Sequence, residues 1–234
     1  MEMYELTSKK AMRGVEKVGE YSKLMIERDE NLSEIYNLIK ADESLLKHSE
    51  NVAQISTYMG IIYNFNLNDL IEMHTGALFH DAGKIRLKKK ILYKKGIFTD
   101  EERKYTETHT SIGYKLLKDT SISSLALDIV KSHHEKLDGS GYPNLIDIRD
   151  IPIYTQIVTA ADMFEAMTAD RCYRKALDKD VVFEILEKDK GLNQVCVDIL
   201  KRSVSIKENI EMFGIENIVS IYSTIHPEKA HVMA

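Results

Sequence analysis

Five histidines and two aspartates recur along the chain at intervals that suit a metal centre. They are His48, His80, Asp81, His109, His133, His134 and Asp162. Seven ligands exceed the four positions of a tetrahedral zinc site, and the set contains no thiolate. It fits two divalent first-row ions, iron or manganese, with open coordination positions. Two such ions about 3.5–4 Å apart can lower the pKa of a bridging water and clamp a phosphoryl group for in-line attack.

The same residues also allow a structural interpretation. A lone histidine within an apolar helical stripe is more often a hydrogen-bonded core residue than a metal ligand. For His48, or for the pair His133 and His134 alone, that interpretation is favoured. Applied to the whole set it requires seven independent coincidences, so we favour the metal centre. His74 has no matching role in the set, and we assign it a structural role.

The intervals between ligands predict how the fold positions them. Successive ligand positions lie 24 to 32 residues apart, which is enough for one helix and a connecting loop. Each ligand, or adjacent pair, is therefore expected to come from a different helix. Sites of this kind form in helical bundles from side chains that face a common core.

Apolar periodicity and capping signals predict the helices that carry the ligands. The stripe around the first ligand consists of Leu45, His48, Val52, Ile55, Met59 and Ile62. Thr99 and Glu102 form a capping box that opens a helix carrying His109. A further helix is predicted over residues 70–84, with Gly83 as its stop signal. Strand patterns are short and scattered, so the expected fold is all-α.

The two ends of the chain lack chemistry-bearing motifs. Residues 1–40 are charged and helix-prone, and their modest apolar face consists of Leu24, Ile35, Leu38 and Ile39. We predict a small N-terminal helical lobe over residues 1–40, a catalytic domain over 41–195 and a C-terminal helical extension over 196–234. The N-terminal helices are the expected surface for a homodimer contact or a signalling partner.

Composition limits the class of protein. The chain has 234 residues, 44% hydrophobic content and a net charge of −5. This charge argues against binding to DNA or RNA polymers, which usually requires a basic surface. No apolar run approaches the roughly 20 residues that a membrane span needs, so no membrane segment is expected. Cys172 and Cys196 form no zinc-type pair and indicate reduced thiols, so we expect a cytoplasmic protein.

The ligand set and the glycine-rich loop after His134 resemble a known family. The positions that resemble the HD superfamily of metal-dependent phosphohydrolases are His48, His80, Asp81 and Asp162. With His109 added, the segment HHEKLDGSGYP (133–143) is similar to the HD-GYP branch, the cyclic di-GMP phosphodiesterases. The resemblance covers roughly residues 42–191, and this long motif is highly specific. It implies an HD-type helical bundle.

The resemblance also implies roles for individual residues. All seven residues would be metal ligands, with Asp81 bridging two ions and acting in catalysis. Lys84 would act in catalysis by contacting a phosphate oxygen beside the metals. The implied substrate contacts are Lys84, Gly141, Tyr142, Arg171 and Arg174. Arginines offer a bidentate fork that suits the phosphates of a cyclic dinucleotide.

The implied activity is hydrolysis of cyclic di-GMP to pGpG by a hydroxide that bridges the two ions, with further cleavage to GMP left open. One alternative is another cyclic nucleotide substrate such as 3′,3′-cGAMP. A second is a non-hydrolytic nucleotide-binding signalling module, although no ligand has been lost here. Some family members hold a third metal through a glutamate four residues before the first histidine; Ser44 stands at that position, so two ions are expected. Glu165 also replaces a more usual residue.

Overall fold

The computed structural model describes residues 2–143, 150–170 and 175–213. Among these residues it contains eleven α-helices and one 3₁₀ helix and no strand, so the all-α prediction is confirmed. The α-helices are α1 (Glu2–Arg28), α2 (Glu30–Lys40), α3 (Glu43–Ile62), α4 (Leu67–Phe79), α5 (Lys89–Leu92), α6 (Asp100–Glu107), α7 (His109–Leu117), α8 (Ser124–Ser132), α9 (Ile153–Thr168), α10 (Lys179–Lys188) and α11 (Gln194–Phe213). Arg171 and Arg174 lie outside the described residues, as does Cys172.

Short polar side chains fix where several helices begin. The carboxylate of Asp29 accepts a hydrogen bond from the backbone N–H of Leu32 at 3.0 Å, at the start of α2. The predicted capping box at α6 is confirmed, since Glu102 N–H donates to Thr99 Oγ1 and Thr99 N–H donates to Glu102 Oε2. Each contact satisfies a backbone donor that the helix itself leaves unpaired.

The apolar stripe of α3 faces the centre of the bundle, as its periodicity predicts. Leu45, His48, Val52 and Met59 are buried on this face. Leu45, Val52 and Met59 belong to one contiguous apolar core that also includes fully buried Phe79 of α4 and Ile157 of α9. Helix α3 thus packs against both the helix that precedes the His80–Asp81 pair and the helix that carries Asp162.

The N-terminal helices join the same core, but through a face that differs from the prediction. Ile35 and Ile39 are buried as expected, whereas Leu24 and Leu38 are 47% and 42% exposed. The buried face of α1 instead uses valines and isoleucine: Val15, Val18 and Ile26. Short stretches of charged helix contain several candidate faces, and tertiary packing selects between them. The division at residues 40 and 195 stays a prediction.

Two predicted helices have different bounds in the structure. The helix predicted over residues 70–84 ends at Phe79, and Ala82–Arg86 forms the 3₁₀ helix. The helix predicted to carry His109 is divided at Thr108 into α6 and α7. Both differences place metal-ligand candidates at helix ends, where side chains converge without the constraint of a shared helical face.

None of the described helices combines the length and apolar character that crossing a bilayer requires.

Candidate metal centre

The structure brings all seven predicted ligand residues together at one end of the bundle. His48 lies on α3 and Asp162 on α9, whereas the other five stand at helix termini. His80 and Asp81 connect α4 to the 3₁₀ helix, His109 opens α7, and His133 and His134 directly follow α8. The seven residues therefore come from five separate segments of the chain, and the spacing predicted this separation.

The seven side chains form two adjoining groups. One group contains Asp81, His109, His133 and His134, and the other contains His48, His80 and Asp162. Within each group, one ligand-type atom per residue lies within 4.8 Å of every other. Among the described residues, no other cluster of histidine, cysteine or acidic side chains meets this criterion. Each group has the dimensions of a shell around a single ion.

Asp81 lies between the two groups and presents one carboxylate oxygen to each. Its Oδ2 is 3.4 Å from His48 Nε2 and 3.3 Å from His80 Nε2. Its Oδ1 is 3.2 Å from His109 Nε2 and 4.0 Å from His133 Nε2. A carboxylate in this position can bridge two cations, one on each oxygen.

Hydrogen bonds on the far side of the rings determine the tautomers of the two histidines that face Asp81 Oδ1. His109 Nδ1 donates to the Thr106 carbonyl at 2.7 Å, and His133 Nδ1 donates to the Ile129 carbonyl at 3.1 Å. A carbonyl only accepts, so both Nδ1 atoms carry the proton in the neutral rings and both Nε2 atoms carry a lone pair. These two Nε2 atoms face each other at 3.4 Å.

The protonation of these rings follows from their surroundings. Burial lowers the pKa of His109 to about 4 and that of His134 to about 3. Burial and the neighbouring imidazoles hold the pKa of His133 well below its usual value. All three are neutral at pH 7, which is the form that binds metal.

The pKa values of Asp81, Asp162 and His48 are shifted in the directions that favour their charged forms. Burial alone would raise the pKa of Asp81, but Lys84 and His80 hold it well below its usual value. Burial likewise opposes ionisation of Asp162, and hydrogen bonding to His48 lowers its pKa. Burial disfavours the charged form of His48, yet its bonds to Asp162 and Asp81 raise its pKa well above the usual value. A proton on His48 thus compensates the two buried carboxylates, as a metal cation would.

A buried oxygen without a hydrogen-bond partner tests whether a cation fits. Asp81 Oδ1 is buried and accepts no hydrogen bond. Its neighbours are the unprotonated Nε2 atoms of His109 and His133, which offer it no proton. An ionised oxygen facing two lone pairs is strongly unfavourable in a buried site unless a cation lies between them. The residues present therefore fit a divalent ion.

Gly83 allows the two ligand segments to approach each other. A β-carbon added there would lie 1.9 Å from the His109 carbonyl oxygen and 2.7 Å from the Gly113 nitrogen. Its φ is not positive, so the requirement is for space rather than for an unusual backbone conformation. Gly83 is thus not the helix stop that the sequence suggested; it lets α7 pack directly onto the backbone after Asp81.

The loop over residues 138–143 packs against the histidine pair. Gly139 has a φ of 74°, and Gly141 is buried where an added β-carbon would lie 2.4 Å from the His134 carbonyl oxygen. The Tyr142 ring stacks on His134 with centroids 4.6 Å apart and 29° between the planes. Burial raises the pKa of Tyr142, so its hydroxyl stays protonated at neutral pH. Gly141 therefore serves packing, and Tyr142 borders the metal centre.

Lys84 lies beside the carboxylate of Asp81. Its ammonium group, on the 3₁₀ helix, donates a hydrogen bond to Asp81 Oδ2 and stays partly exposed. Lys84 therefore places a partly exposed ammonium group next to the Asp81 carboxylate. His74, in contrast, lies in neither ligand group; its Nδ1 is 2.9 Å from Thr57 Oγ1, in agreement with a structural role.

Two residues at the site were missed as contributors by sequence reasoning. Glu165 is buried, and its Oε2 accepts a hydrogen bond from His48 Nδ1. Asn51 Nδ2 donates to the other oxygen of Glu165 at 3.0 Å. The available signal was spacing: Glu165 follows Asp162 by three residues and Asn51 follows His48 by three, so each pair shares a helical face.

A protein-family comparison agrees with this fold and site. Residues 34–194 match the model of the family described as "HD domain". The chain belongs to the HD domain family. The similarity extends to proteins of the HD-GYP branch, which confirms the resemblance seen in the sequence.

Individual proteins and a solved structure are also similar to this chain. A protein named "Cyclic di-GMP phosphodiesterase" from Thermotoga maritima is 35% identical over 68% of this chain and 44% of its own length. A "3'3'-cGAMP-specific phosphodiesterase 3" from Vibrio cholerae is 31% identical over 68% of this chain and 35% of its own length. The chain thus spans less than half the length of these two relatives. A solved HDG"Y"P protein from Bdellovibrio bacteriovorus matches with a TM-score of 0.59 at 15% identity, over 82% of this chain and 64% of that one, which shows the fold.

Proposed function

We propose that the protein hydrolyses cyclic di-GMP to the linear dinucleotide pGpG, with two divalent ions, iron or manganese, held by the seven clustered residues. The observation that carries this proposal is the buried, unpartnered Asp81 Oδ1 facing two imidazole lone pairs. Such a site is stable when a cation occupies it. The names of the relatives supply the substrate class, since they hydrolyse cyclic dinucleotides.

The bound ions would supply a nucleophile from water at neutral pH and would neutralise charge on the scissile phosphate. The protein's own residues would do the remaining work. Asp81 would span the two ligand groups and fix their separation. The hydrogen bonds from His80, His109 and His133 to backbone carbonyls would keep each Nε2 directed at the centre. Neutral imidazoles at pH 7 would bind without first losing a proton.

The substrate would contact cationic and aromatic side chains at the rim. Lys84 is close enough to the bridging carboxylate to reach a phosphate oxygen placed there. Tyr142, stacked on His134, would form one wall, and Gly141 would keep that wall close to the histidine pair. Arg171 and Arg174 follow α9 in the sequence, and we propose that they bind substrate phosphate or guanine.

A second substrate deserves the same test, because relatives from Vibrio cholerae are named as 3′3′-cGAMP-specific. The base-reading residues would decide between the two dinucleotides. A non-hydrolytic nucleotide-binding module is less well supported, since all seven ligand-type residues are present and clustered.

Two ions, rather than three, are favoured by the start of α3. Ser44 lies one turn before His48, and a hydroxyl is a poor ligand for a hard divalent ion compared with a carboxylate. Glu43 is the first residue of α3 and belongs to neither ligand group. The family resemblance associates a third ion with cleavage of the linear intermediate. We therefore propose pGpG as the main product, with further cleavage to GMP left open.

We also propose a regulatory input through the N-terminal helices. Helix α4, which leads directly into His80 and Asp81, packs against α1, and Ser22 of α1 shares a buried 2.8 Å hydrogen bond with Thr75 of α4. A homodimer or a signalling partner bound to α1 would thereby act on the helix that ends at the ligands. A reducing, cytoplasmic location accords with the buried free thiol of Cys196.

The test compares anaerobically purified protein with two variants. Asp81→Ala removes the carboxylate shared by both groups and should abolish both metal binding and turnover of cyclic di-GMP. His74→Ala removes a buried histidine outside the groups and should retain both ions. Metal content and the products from cyclic di-GMP and 3′,3′-cGAMP are measured together. Near-normal metal content in Asp81→Ala would contradict the proposal.

A further inference from the structure

The imidazole of His48 is held from both sides by carboxylates of one helix. Its Nε2 lies 3.0 Å from Asp162 Oδ1, and its Nδ1 donates to Glu165 Oε2. Asn51, three residues after His48 on α3, donates to Glu165 Oε1 at 3.0 Å. A pair of side chains on α3 thus meets a pair on α9, with Glu165 on the side of the ring that faces away from the metal centre.

This arrangement differs from that of the other ligand histidines whose Nδ1 contacts are described. Those contacts all go to neutral backbone carbonyls, Ala77 for His80, Thr106 for His109 and Ile129 for His133. A carboxylate is a stronger acceptor than a carbonyl, because its charge stabilises the partial positive charge that develops on an imidazole bound to a cation. His48 Nε2 is therefore a stronger electron-pair donor to a bound cation than the Nε2 atoms of the other three histidines.

Burial makes the contact with Glu165 energetically significant. Glu165 is 4% exposed and His48 is 5% exposed, so solvent screens their interaction little. A buried carboxylate is costly for folding unless it is paired, and a purely packing role at this place would be served better by an apolar side chain. The presence of a buried charged group directly behind a metal-ligand candidate points to a role in that ligand's function.

We propose that Glu165, oriented by Asn51, is a positioning residue that keeps His48 Nδ1 protonated and directs Nε2 at the metal centre. Its negative charge raises the cation affinity of the group formed by His48, His80 and Asp162 relative to that of the group around His109. The two ions are consequently held with unequal affinity. This inference rests on the two-ion centre proposed above and goes beyond it by making the two sites chemically distinct.

The test is a titration of metal-free protein with Mn²⁺, followed by the electron paramagnetic resonance signal of free Mn²⁺. Wild-type protein should bind two ions. Glu165→Gln keeps the side-chain volume and one acceptor oxygen but removes the charge. It should bind one ion with wild-type affinity and the other about 10- to 100-fold more weakly, as outer-shell partners of metal ligands typically contribute. Asn51→Ala should weaken the same ion by a smaller factor.

Identification of the affected ion uses the other ligand group. His134→Ala should weaken the ion held with Asp81 and His109, whereas Glu165→Gln should weaken the ion held with His48. The double variant should then bind both ions more weakly than wild type. A double variant in which only one ion is weakened would show that the two substitutions act on the same site and would overturn the assignment.

Thermal unfolding of the metal-free variants separates positioning from stability. His74→Gln is the matched control, because it alters another buried histidine that bonds to a residue of α3, Thr57, outside the ligand groups. It should keep both Mn²⁺ affinities even if it lowers the melting temperature. Glu165→Gln that leaves both affinities within about twofold of wild type, or weakens both equally, would overturn the inference.

Two further outcomes are decisive. If Glu165→Gln fails to fold, Asn51→Ala still tests the inference: selective weakening of one ion supports it and unchanged affinities overturn it. Wild-type protein that binds no Mn²⁺ or Fe²⁺ would overturn the two-ion centre and this inference together. Wild-type protein with two ions and an unaffected Glu165→Gln would overturn this inference alone.

Discussion

Replacement of Gly83 by alanine tests whether close packing after Asp81 positions the metal centre. The added β-carbon would lie 1.9 Å from the His109 carbonyl oxygen, whereas an ordinary contact of this type is about 3.3 Å. The neighbouring atoms are backbone, so α7 must move by about 1.4 Å relative to the segment after Asp81. Because His109 begins α7, its imidazole should move with it. A displacement of about 1 Å can cost roughly 100-fold in catalysis.

The same displacement should also destabilise the metal-free fold. Overpacking a core usually costs about 1–3 kcal/mol, and contact with unyielding backbone places Gly83→Ala at or above the upper end. For a chain of this size each kcal/mol shifts the melting temperature by roughly 2–4 °C, so a decrease of roughly 6–12 °C is expected. Metal content should fall in parallel, as measured by elemental analysis of the purified variant.

The control is a glycine with room for a methyl group. At Gly14, within α1, an added β-carbon would lie 3.5 Å from Ile61 Cδ1, an ordinary contact. Gly14→Ala should therefore leave metal content unchanged and stabilise the helix by about 0.5–1 kcal/mol. Gly83→Ala with full metal content and a melting temperature close to that of wild type would refute the packing argument.

Three other predictions concern protonation, substrate and metal number. Burial lowers the pKa of His74 to about 4, so unfolding takes up a proton as pH falls from 6.5 towards 4. Between pH 7 and 4, the free energy of unfolding of metal-free wild type should fall by about 3 kcal/mol more than that of His74→Gln, as measured by urea titration. Arg171→Ala and Arg174→Ala should each raise KM for the cyclic dinucleotide with metal content intact, and an unchanged KM in both would assign them a structural role. Anomalous scattering should show two peaks, and a third peak coordinated by Ser44 or Glu43 would contradict the metal count.

Much of the site was accessible from sequence because its signals are local. The residue types and the regular spacing of the seven ligand candidates predicted one side chain or pair per helix, and the structure brings all of them together. The stripe on α3 and the capping box at Thr99 depend only on neighbours within a few residues. Apolar periodicity predicted the stripe, and the Thr99–Glu102 pair predicted the capping box.

The remaining features depend on contacts between distant segments. The hydrogen bond from His48 to Glu165 joins residues 117 positions apart. Helical spacing places Glu165 on the same face as Asp162, but it does not identify His48 as the partner. Glycine is a typical residue at a helix end, which is why Gly83 was interpreted as a stop. The atom that excludes a side chain there, the His109 carbonyl oxygen, lies on another helix. Leu24 and Leu38 fit a plausible apolar face, yet the packing of α1 and α2 leaves them exposed. Periodicity identifies candidate faces but not the neighbour that buries them.

The most direct test of the central claim is hydrolysis of cyclic di-GMP by metal-loaded protein in ¹⁸O-enriched water, with mass spectrometry of the products. Attack of water on phosphorus with release of the 3′-oxygen predicts pGpG that carries one ¹⁸O atom on its 5′-phosphate, and no product from Asp81→Ala. Metal-loaded wild type that forms no linear product from cyclic di-GMP or 3′,3′-cGAMP, or equal turnover by Asp81→Ala, would contradict the account.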